Sequence, residues 1–377
     1  MSGPLHGLKV IELAGIGPGP YACMLLADLG ADVLRIERGD IDADDEPTWE
    51  VLNRSRPSVA VDLKNPAGRD LVLELCEQAD ILIEGFRPGV TERLGLGPAD
   101  VAARNPRLVY GRMTGYGQEG PNSQRAGHDI NYIAVSGALW PMGRKDEPPV
   151  PPLNLVGDFG GGSMFLILGV LAAVLSARST GEGQVVDAAM VDGSASLMAL
   201  SHSLMNAGFW HEERASNLLD TGAPFYEVYE TKDNRFVAVG AIEAQFYAAL
   251  LHGLDIAPGE LPAQFDRDAW PATKERFAAR FRERTRDEWT EVFCEVDACV
   301  TPVLSPREAA HHPYNTQRGV FFVDGEIQPQ PAPRFSKTPG AIGRSPTKAG
   351  AGTRDGLRSW GIDLDRQVAL RAEGAFG

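Results

Sequence analysis

Short apolar segments alternate with helical patterns along the first half of the chain, and this alternation limits the fold more than any other feature. The strand candidates lie at residues 8–14, 31–37, 81–85, 107–115 and 183–190. Helical patterns at residues 21–30 and 65–80 separate the early strands, and the second pattern offers Asn65 as N-cap with Pro66 at the first helical position. Strands separated by helices in this way predict βαβ units and a parallel sheet. The predicted fold class is therefore α/β, with a large Rossmann-like parallel-sheet domain.

The pattern changes after residue 221, which predicts a second, smaller α+β domain. Residues 224–242 alternate aromatic and polar side chains around a Lys-Asp-Asn turn, as in a β-hairpin. Amphipathic helices follow, and Ser305 with Glu308 forms a capping box. The length of 377 residues also exceeds what one hydrophobic core usually supports. The predicted division is a large domain at 1–190 and 330–377, a small domain at 222–315, and linkers at 191–221 and 316–329.

Charge and cysteine content narrow the choice of partner and compartment. The formal net charge is −15, so we expect no nucleic-acid partner, which would need a basic surface. The four cysteines include no CxxC pair, and the first residues show no secretory pattern. The apolar run at 164–177 is too short for a comfortable membrane span and predicts a helix buried in the core. We therefore expect a cytoplasmic protein without stable membrane insertion.

The loop at residues 14–22 follows the first strand and opens a helix, as a dinucleotide-binding loop does. Gly15 and Gly17 fit that fingerprint, but the third glycine falls at position 19, and Pro20 stands where the motif needs glycine. A nicotinamide cofactor is therefore not expected. Two interpretations stay open: a tight turn that brings a phosphate-bearing ligand close to the backbone, and a purely structural turn.

Basic residues stand at or just beyond several strand ends. They are Arg38, Lys64, Arg87 and Arg93. In an open α/β sheet the carboxyl ends of the strands are where ligands bind, and arginine there pairs with phosphate. Each of them alone is explained as a solvated surface charge. As a set at equivalent positions they indicate a nucleotide-like anion.

A histidine and an aspartate form the strongest candidate for chemistry. His128 lies between a glycine and a helix start, beside Asp129, which we expect to be the N-cap. Asp158 stands shortly before three consecutive glycines and the apolar helix, where capping would explain it too. The glycines suggest close approach of a ligand, and free N–H groups there would stabilise developing negative charge. An imidazole and a carboxylate facing each other suit a two-base proton transfer at carbon.

Signatures of other enzyme classes are missing from the sequence. Phe165 stands where a nucleophile elbow needs its second glycine, and there is no P-loop and no HExxH. The histidines are scattered, and the pair at 311–312 lacks metal-ligand spacing. No metal site is expected.

At these residues the chain resembles the family III CoA-transferase superfamily, and within it most strongly the α-methylacyl-CoA racemases. The resemblance runs nearly end to end. It is carried by "GLKVIELAGIGPGPYACMLLADLGADVLRIER", "VDLKNPAG", "LIEGFRPGVTERLGLGP", "GRMTGYGQEGP", "GHDINYIAVSG", "PPLNLVGDFGGGSMF" and "TGEGQVVDAAMVDG". It implies an interlocked homodimer with the active site between the large domain of one subunit and the small domain of the other. It also implies an acyl-CoA thioester substrate and no separate cofactor.

The resemblance assigns roles to individual residues. His128 and Asp158 would be the two acid/base groups, and Glu243 would hold His128 by a hydrogen bond. The residues implied to bind CoA or to line its acyl end are Ile16, Arg38, Val61, Asp62, Leu63, Lys64, Gly85, Phe86, Arg87, Arg93, Gly127, Asp129, Ile130, Asn131 and Tyr132. Phe86 departs from the tyrosine that close racemases carry at its position.

The expected activity is interconversion of (2R)- and (2S)-2-methylacyl-CoA thioesters, as in the degradation of branched fatty acids and sterol side chains. Two alternatives stay open. In the transferases of the superfamily, the aspartate at the position of Asp158 is a nucleophile that forms an acyl anhydride. A CoA-binding module without catalytic activity is the other alternative. His128 favours the racemase, because the transferases generally lack this histidine.

Overall fold

The computed structural model describes residues 3–44, 46–324 and 326–376. They form two compact units. The first unit consists of Met1–Ala138, Pro152–Met198 and Phe321–Gly377, and the second of Leu139–Pro151 and Ala199–Val320.

The strands are β1 (Lys9–Leu13), β2 (Asp32–Glu37), β3 (Ser58–Ala60), β4 (Ile81–Glu84), β5 (Val109–Thr114), β6 (Val185–Ala189), β7 (Tyr226–Glu230), β8 (Phe236–Gly240), β9 (Val300–Pro302), β10 (Phe321–Asp324) and β11 (Glu326–Pro329). The α-helices are α1 (Pro18–Asp28), α2 (Pro66–Cys76), α3 (Val90–Arg93), α4 (Pro98–Arg104), α5 (Asp129–Val135), α6 (Met164–Thr180), α7 (Met190–Leu197), α8 (Ala199–Asn206), α9 (Ala244–Gly253), α10 (Trp270–Phe281), α11 (Arg286–Phe293), α12 (Pro306–His311), α13 (Pro313–Arg318), α14 (Thr353–Ser359) and α15 (Leu364–Ala372). Short 3₁₀ turns lie at Val51–Asn53 and Arg267–Ala269, and a π-helical segment at Leu155–Ser163.

A parallel sheet organises the first unit, as the strand–helix alternation predicts. Its order is β3-β2-β1-β4-β5-β6, and each pairing in it is parallel. The chain starts in the middle of the sheet, adds strands toward one edge, and then returns to build the other half from β4. The connections therefore diverge after β1 and β4, and they leave a crevice at the carboxyl edge, where α/β sheets bind ligands.

Helices cover both faces of this sheet, so its strands are apolar on both sides. Ile11 and Leu13 of β1 pack on one face with side chains of α2, α14 and α15. Val10 of the same strand packs on the other face with α1 and α6. Asn65 caps α2 as predicted, since its side chain accepts a 2.8 Å hydrogen bond from the N–H of Ala67. The start of α1 was expected at residue 21 and lies at Pro18, because proline is well tolerated in a first helical turn.

The apolar helix α6 packs one side into the core, as the sequence predicts, but its other side is exposed, so the helix is only partly buried. Val170 and Leu166 pack against Gly111 of β5, whereas Leu168 and Leu175 are 66% and 67% exposed. Together with the π-helical segment it forms one run, Leu155–Thr180, that is long and apolar enough to cross a membrane. Of the most apolar 18-residue stretch in this run, only 39% is buried. It is the one run of this kind among the described residues. The core helices of ordinary α/β domains can be equally long and apolar.

The second unit is an α+β structure around an antiparallel sheet of order β7-β8-β9. The predicted hairpin at 224–242 is confirmed by the antiparallel pairing of β7 with β8. Aromatic side chains dominate its core, with Phe225, Phe277 and Phe281 fully buried. The capping box at Ser305 and Glu308 is confirmed at the start of α12. The strands β10 and β11 pair as a hairpin that belongs to the first unit.

Candidate active site

A cavity of about 400 Å³ opens at the carboxyl edge of the parallel sheet, in the crevice between the loops after β1 and β4. The turn at residues 15–20, the segment at 85–88 and the residues that follow β5 form its walls. His128 and Asp158 both line it. The two candidate bases, 30 positions apart in the sequence, are therefore brought to one cavity of the first unit.

A second cavity, of about 260 Å³, lies at the ends of β1, β2 and β3. Arg38 follows β2, and Lys64 follows β3 with Val61, Asp62 and Leu63 before it. Phe86 lines both cavities. The two cavities are therefore neighbours, and a long ligand that passes Phe86 would reach from one to the other.

The structure places most of the site residues implied by the resemblance around these two cavities. Those in the larger cavity are Ile16, Gly85, Phe86, Arg87, Gly127, His128, Tyr132 and Asp158. Those in the smaller cavity are Arg38, Val61, Asp62, Leu63, Lys64 and Phe86. Arg93, Asp129, Ile130 and Asn131 line neither cavity. Arg93 ends the short helix α3, and the other three form the first turn of α5.

His128 is the N-cap of α5, so the prediction that Asp129 has this role is wrong. The backbone of His128 is extended, with φ −132° and ψ 175°, and its N–H donates a 3.0 Å hydrogen bond to Oδ1 of Asn131. Asp129 is already the first helical residue. The cap position leaves the imidazole exposed at the cavity. A side chain there reaches a bound ligand without crossing the helix.

Asp129 instead connects the two candidate bases. Its carboxylate is 5% exposed, and Oδ2 accepts a 2.7 Å hydrogen bond from the backbone N–H of Asp158. Its Oδ1 is buried and has no hydrogen-bond partner among the described residues. A Cβ added at Gly157 would lie 2.6 Å from Oδ2, so only glycine allows this approach. Asp129, which directly follows His128 in the chain, thus fixes the backbone of Asp158 by a hydrogen bond.

Asp158 lies inside the π-helical segment Leu155–Ser163 and does not cap a helix. The side chain is half-buried, and Nδ2 of Asn154 donates a 3.3 Å hydrogen bond to Oδ2. Burial raises the pKa of Asp158 above its ordinary value, and the negative charge of Asp129 raises it further. The Asn154 hydrogen bond and the nearby His128 oppose this rise. π-Helical turns are rare and concentrate at functional sites.

The glycines after Asp158 serve helix packing, so the prediction that they admit a ligand is wrong. A Cβ at Gly161 would lie 2.6 Å from Oγ of Ser194, and one at Gly162 would lie 2.9 Å from Cγ of Met190. Both neighbours belong to α7, which packs closely on this segment. The expected free N–H groups are also absent from it, because Phe159 donates to Asn154 and the π-helical pattern occupies the next donors.

Several cavity residues escaped the sequence analysis. They are Glu12, Met113, Tyr116, Ser123 and Arg125. The ring of Tyr116 meets Tyr132 edge-on, with centroids 5.0 Å apart. The hydroxyl of Tyr132 donates to the carbonyl of Gly127, and burial raises its pKa to about 12. Of these five residues, only Arg125 could have been recognised from the sequence, because it lies three residues before His128 in the same loop.

The cations around the cavities are unpaired. Arg38, Lys64, Arg87, Arg93 and Arg125 are exposed, and their side chains form no ion pair or hydrogen bond with any other residue that the structure describes. Buried arginines of the same unit are all engaged, as in the 2.7 Å pair of Arg54 with Asp28. Free cations at strand ends can bind a polyanion without first breaking internal ion pairs.

Glu243 lies in the second unit, at the N-cap position of α9. Its side chain is exposed and makes no capping hydrogen bond. Its pairing with His128 stays a prediction. For metal binding, the described stretches contain no group of three or more His, Cys, Asp and Glu side chains that could hold an ion.

Comparison with known proteins places this architecture in a family. The sequence profile of CoA-transferase family III matches residues 5–353. The chain belongs to CoA-transferase family III. Within the family it is similar to alpha-methylacyl-CoA racemase of Mus musculus, with 44% identity over 98% of this chain and 96% of the relative. The Homo sapiens protein of the same name is 43% identical over the same shares.

Solved structures of the family share the fold. A CAIB/BAIF family protein from Brucella suis superposes with a TM-score of 0.80 at 25% identity, over 96% of this chain and 100% of that one. The parallel sheet described above is therefore the family architecture.

Proposed function

We propose that this member of CoA-transferase family III is an α-methylacyl-CoA racemase that interconverts the (2R) and (2S) forms of 2-methylacyl-CoA thioesters. The observation that carries the proposal is the presence of His128 and Asp158 in one cavity, linked through Asp129. The similarity to racemases over nearly the whole chain supports it.

The chemistry is proton removal and return at C2. The thioester carbonyl acidifies the C2–H bond, and its electrons move to the carbonyl oxygen as an enolate forms. One of His128 and Asp158 takes the proton, and the other donates a proton to the opposite face of C2. Because burial raises the pKa of Asp158, its carboxylate is a stronger base than an exposed aspartate and its acid form is populated closer to neutral pH.

Such a 1,1-proton transfer changes no oxidation state, so the reaction needs no redox cofactor. General acid–base groups typically contribute about 10²- to 10⁴-fold each to the rate. CoA enters only as part of the substrate.

The two cavities suggest how the thioester is held. We assign the nucleotide end of CoA to the smaller cavity, where Arg38 and Lys64 are free to bind phosphate. The pantetheine arm would pass Phe86 into the larger cavity, and Ile16 and Arg87 would border it there. The segment Gly127 to Tyr132 would enclose the acyl end. This arrangement delivers C2 to the space between His128 and Asp158.

We also propose that the protein works as an interlocked homodimer in which the second unit of one subunit completes the site of the other. Glu243 would then hydrogen-bond His128 and stabilise its charged form. Large apolar side chains exposed on α6, among them Leu168 and Leu175, support burial against another protein surface. We further propose that the protein is cytoplasmic and acts on branched fatty acyl or sterol side-chain thioesters.

A CoA-transferase is the competing candidate, because family III includes enzymes of that class and Asp158 lies in the cavity. In that reaction the Asp158 carboxylate would attack the thioester and form an acyl anhydride. The reaction gives no role to His128, which is why the racemase is favoured.

The test is incubation of the purified protein with a (2R)-2-methylacyl-CoA in D2O, followed by NMR of C2 and chiral analysis. We expect deuterium at C2 and appearance of the (2S) form. His128→Ala should abolish the appearance of the (2S) form, whereas His6→Ala, at an exposed histidine before β1, should leave it intact. Absence of exchange, with acyl transfer to an added carboxylate through an Asp158 adduct, would establish the transferase instead.

A further inference from the structure

A buried ion pair lies in the wall of the larger cavity and has no part in the proton transfer just described. Glu12 is the fourth residue of β1, is 1% exposed, and lines the cavity. Nε of Arg56 donates to its Oε2 at 2.5 Å, and Nη2 donates to Oε1 at 3.3 Å. Arg56 is 2% exposed. Burial of two charges is costly unless they pair with good geometry, so their placement beside the site calls for an explanation.

The remaining donors of Arg56 bind two backbone carbonyls. Nη2 donates to the carbonyl of Pro20 at 3.1 Å, and Nη1 donates to the carbonyl of Arg54 at 3.1 Å. One planar guanidinium therefore connects the end of β1, the first turn of α1 and the segment that leads to β3. A lysine has the same charge but cannot reproduce this fixed fork of donors.

The turn between these anchor points borders the catalytic aspartate. It spans residues 13–19, and its Gly17 has φ +68°. A Cβ at Gly17 would lie 3.2 Å from Oδ2 of Asp158. The turn therefore forms the wall against which that carboxylate rests.

The start of α1 is also tied to the backbone around Asp158. Oγ of Ser163 lies 2.7 Å from the carbonyl of Pro18 and 3.1 Å from the carbonyl of Asp158. Ser163 is fully buried. A displacement of the first turn of α1 would thus be transmitted to the π-helical segment that carries Asp158.

We propose that Glu12 and Arg56 are positioning residues that hold the β1–α1 turn against Asp158, so that its carboxylate faces C2 of the substrate. This inference rests on the racemase function proposed above. No hydrogen bond or ion pair among the described residues joins His128, the N-cap of α5, to Glu12 or Arg56, so we expect loss of the pair to act first on Asp158.

A second buried pair provides a matched control. Arg54 and Asp28 are each 1% exposed and 2.7 Å apart, and neither lines the cavity: Asp28 ends α1, and Arg54 follows the 3₁₀ turn at Val51–Asn53. Arg56→Lys and Arg54→Lys are therefore the same chemical change at equal burial. Only Arg56→Lys removes side-chain hydrogen bonds to the residues that flank the β1–α1 turn beside Asp158.

The experiment measures deuterium entry and inversion at C2 in D2O, starting separately from the (2R) and (2S) thioesters. For Arg56→Lys we expect inversion to fall at least tenfold in both directions. Exchange with retention should persist for one enantiomer only, the one whose C2–H faces His128, because His128 still removes that proton, exchanges it with D2O and returns a deuteron to the same face. The ratio of exchange to inversion therefore rises for that enantiomer.

Glu12→Gln should raise the same ratio, which keeps the inference testable where Arg56→Lys folds poorly. Arg54→Lys should lower the thermal midpoint and leave the ratio unchanged. An equal loss of exchange and inversion from both enantiomers in Arg56→Lys and Glu12→Gln, or the same ratio change in Arg54→Lys, would reduce the pair to a structural role and overturn the inference. A wild-type enzyme with no exchange at all would instead refute the racemase function itself.

Discussion

The carboxylate of Asp129 accepts a 2.7 Å hydrogen bond from the backbone N–H of Asp158. Since Asp129 directly follows His128 in the chain, this one bond, which spans 29 positions of sequence, links the two candidate bases. The separation of the bases is thereby set by a buried hydrogen bond as well as by the packing of α5 on the π-helical segment.

Removal of that link should misplace the bases. Asp129→Ala is expected to lower kcat by about 10- to 100-fold, in line with about 1.5–3 kcal/mol for a hydrogen bond to a charged group, with a smaller change in KM. Asp129→Asn keeps an acceptor oxygen and should retain most of kcat. Steady-state kinetics of the two variants, each checked for folding by circular dichroism, test this. Equal losses in both would show that the charge and not the bond is what counts.

The fall of kcat/KM at low pH should follow the pKa of Asp158, which depends on its neighbours Asn154 and Asp129. The Asn154 side chain donates to the carboxylate and so lowers its pKa, which means that Asn154→Ala should raise the pKa of Asp158. The loss of kcat/KM on acidification should then begin at higher pH. Asp129→Asn removes a negative charge that raises this pKa, so its acid limb should move to lower pH. Shifts in the same direction in both variants would contradict the assignment of the limb to Asp158.

Asp158→Asn should lower activity and at the same time raise thermal stability at pH 7. Loss of one acid/base group is expected to lower kcat by about 10²- to 10⁴-fold. Because the folded-state pKa of Asp158 is raised, the native state holds its proton to higher pH than the unfolded state does, and stability falls as pH rises between the two values. The variant should therefore have a higher thermal midpoint than wild type at pH 7, and a smaller advantage at pH 5. Thermal melts at both values measure this, and a lower midpoint at pH 7 would rule out the stabilising effect.

The free cations of the smaller cavity should act on binding and not on chemistry. Arg38→Ala and Lys64→Ala are each expected to raise KM for the thioester about tenfold, since charge-assisted hydrogen bonds are worth about 1.5–3 kcal/mol, with kcat unchanged. Added salt should diminish the difference from wild type. Arg178→Ala is the control, because this exposed arginine lies in the last turn of α6, outside both cavities. A matching KM change in that variant would indicate a general charge effect.

The sheet was predictable because its strands are short apolar runs separated by helical patterns. The strand β3 was missed, since three residues after Pro57 carry too little pattern. At the site, the sequence pointed to the free cations and the two candidate bases because most of them follow a strand or precede an apolar helix in the sequence. Such positions are visible in local sequence.

The errors came from interactions between distant segments. The sequence favours Asp129 as a cap, because capping propensity is local, but its partner is the N–H of Asp158. The glycines at 160–162 suggested a ligand, whereas the nearest groups beside Gly161 and Gly162 belong to α7. Glu12 passed unnoticed inside an apolar strand, because the arginine that neutralises it stands 44 positions away.

The wide turn around Asp158 also bears on how its carboxylate is placed. The segment Leu155–Ser163 is wound with hydrogen bonds one residue wider than those of an α-helix. Loss of one residue would permit ordinary α-helical winding, in which each residue turns by about 100°. Such rewinding is expected to turn Asp158 about the helix axis relative to the cavity. The placement of this carboxylate is therefore sensitive to a change of one residue in the length of the segment.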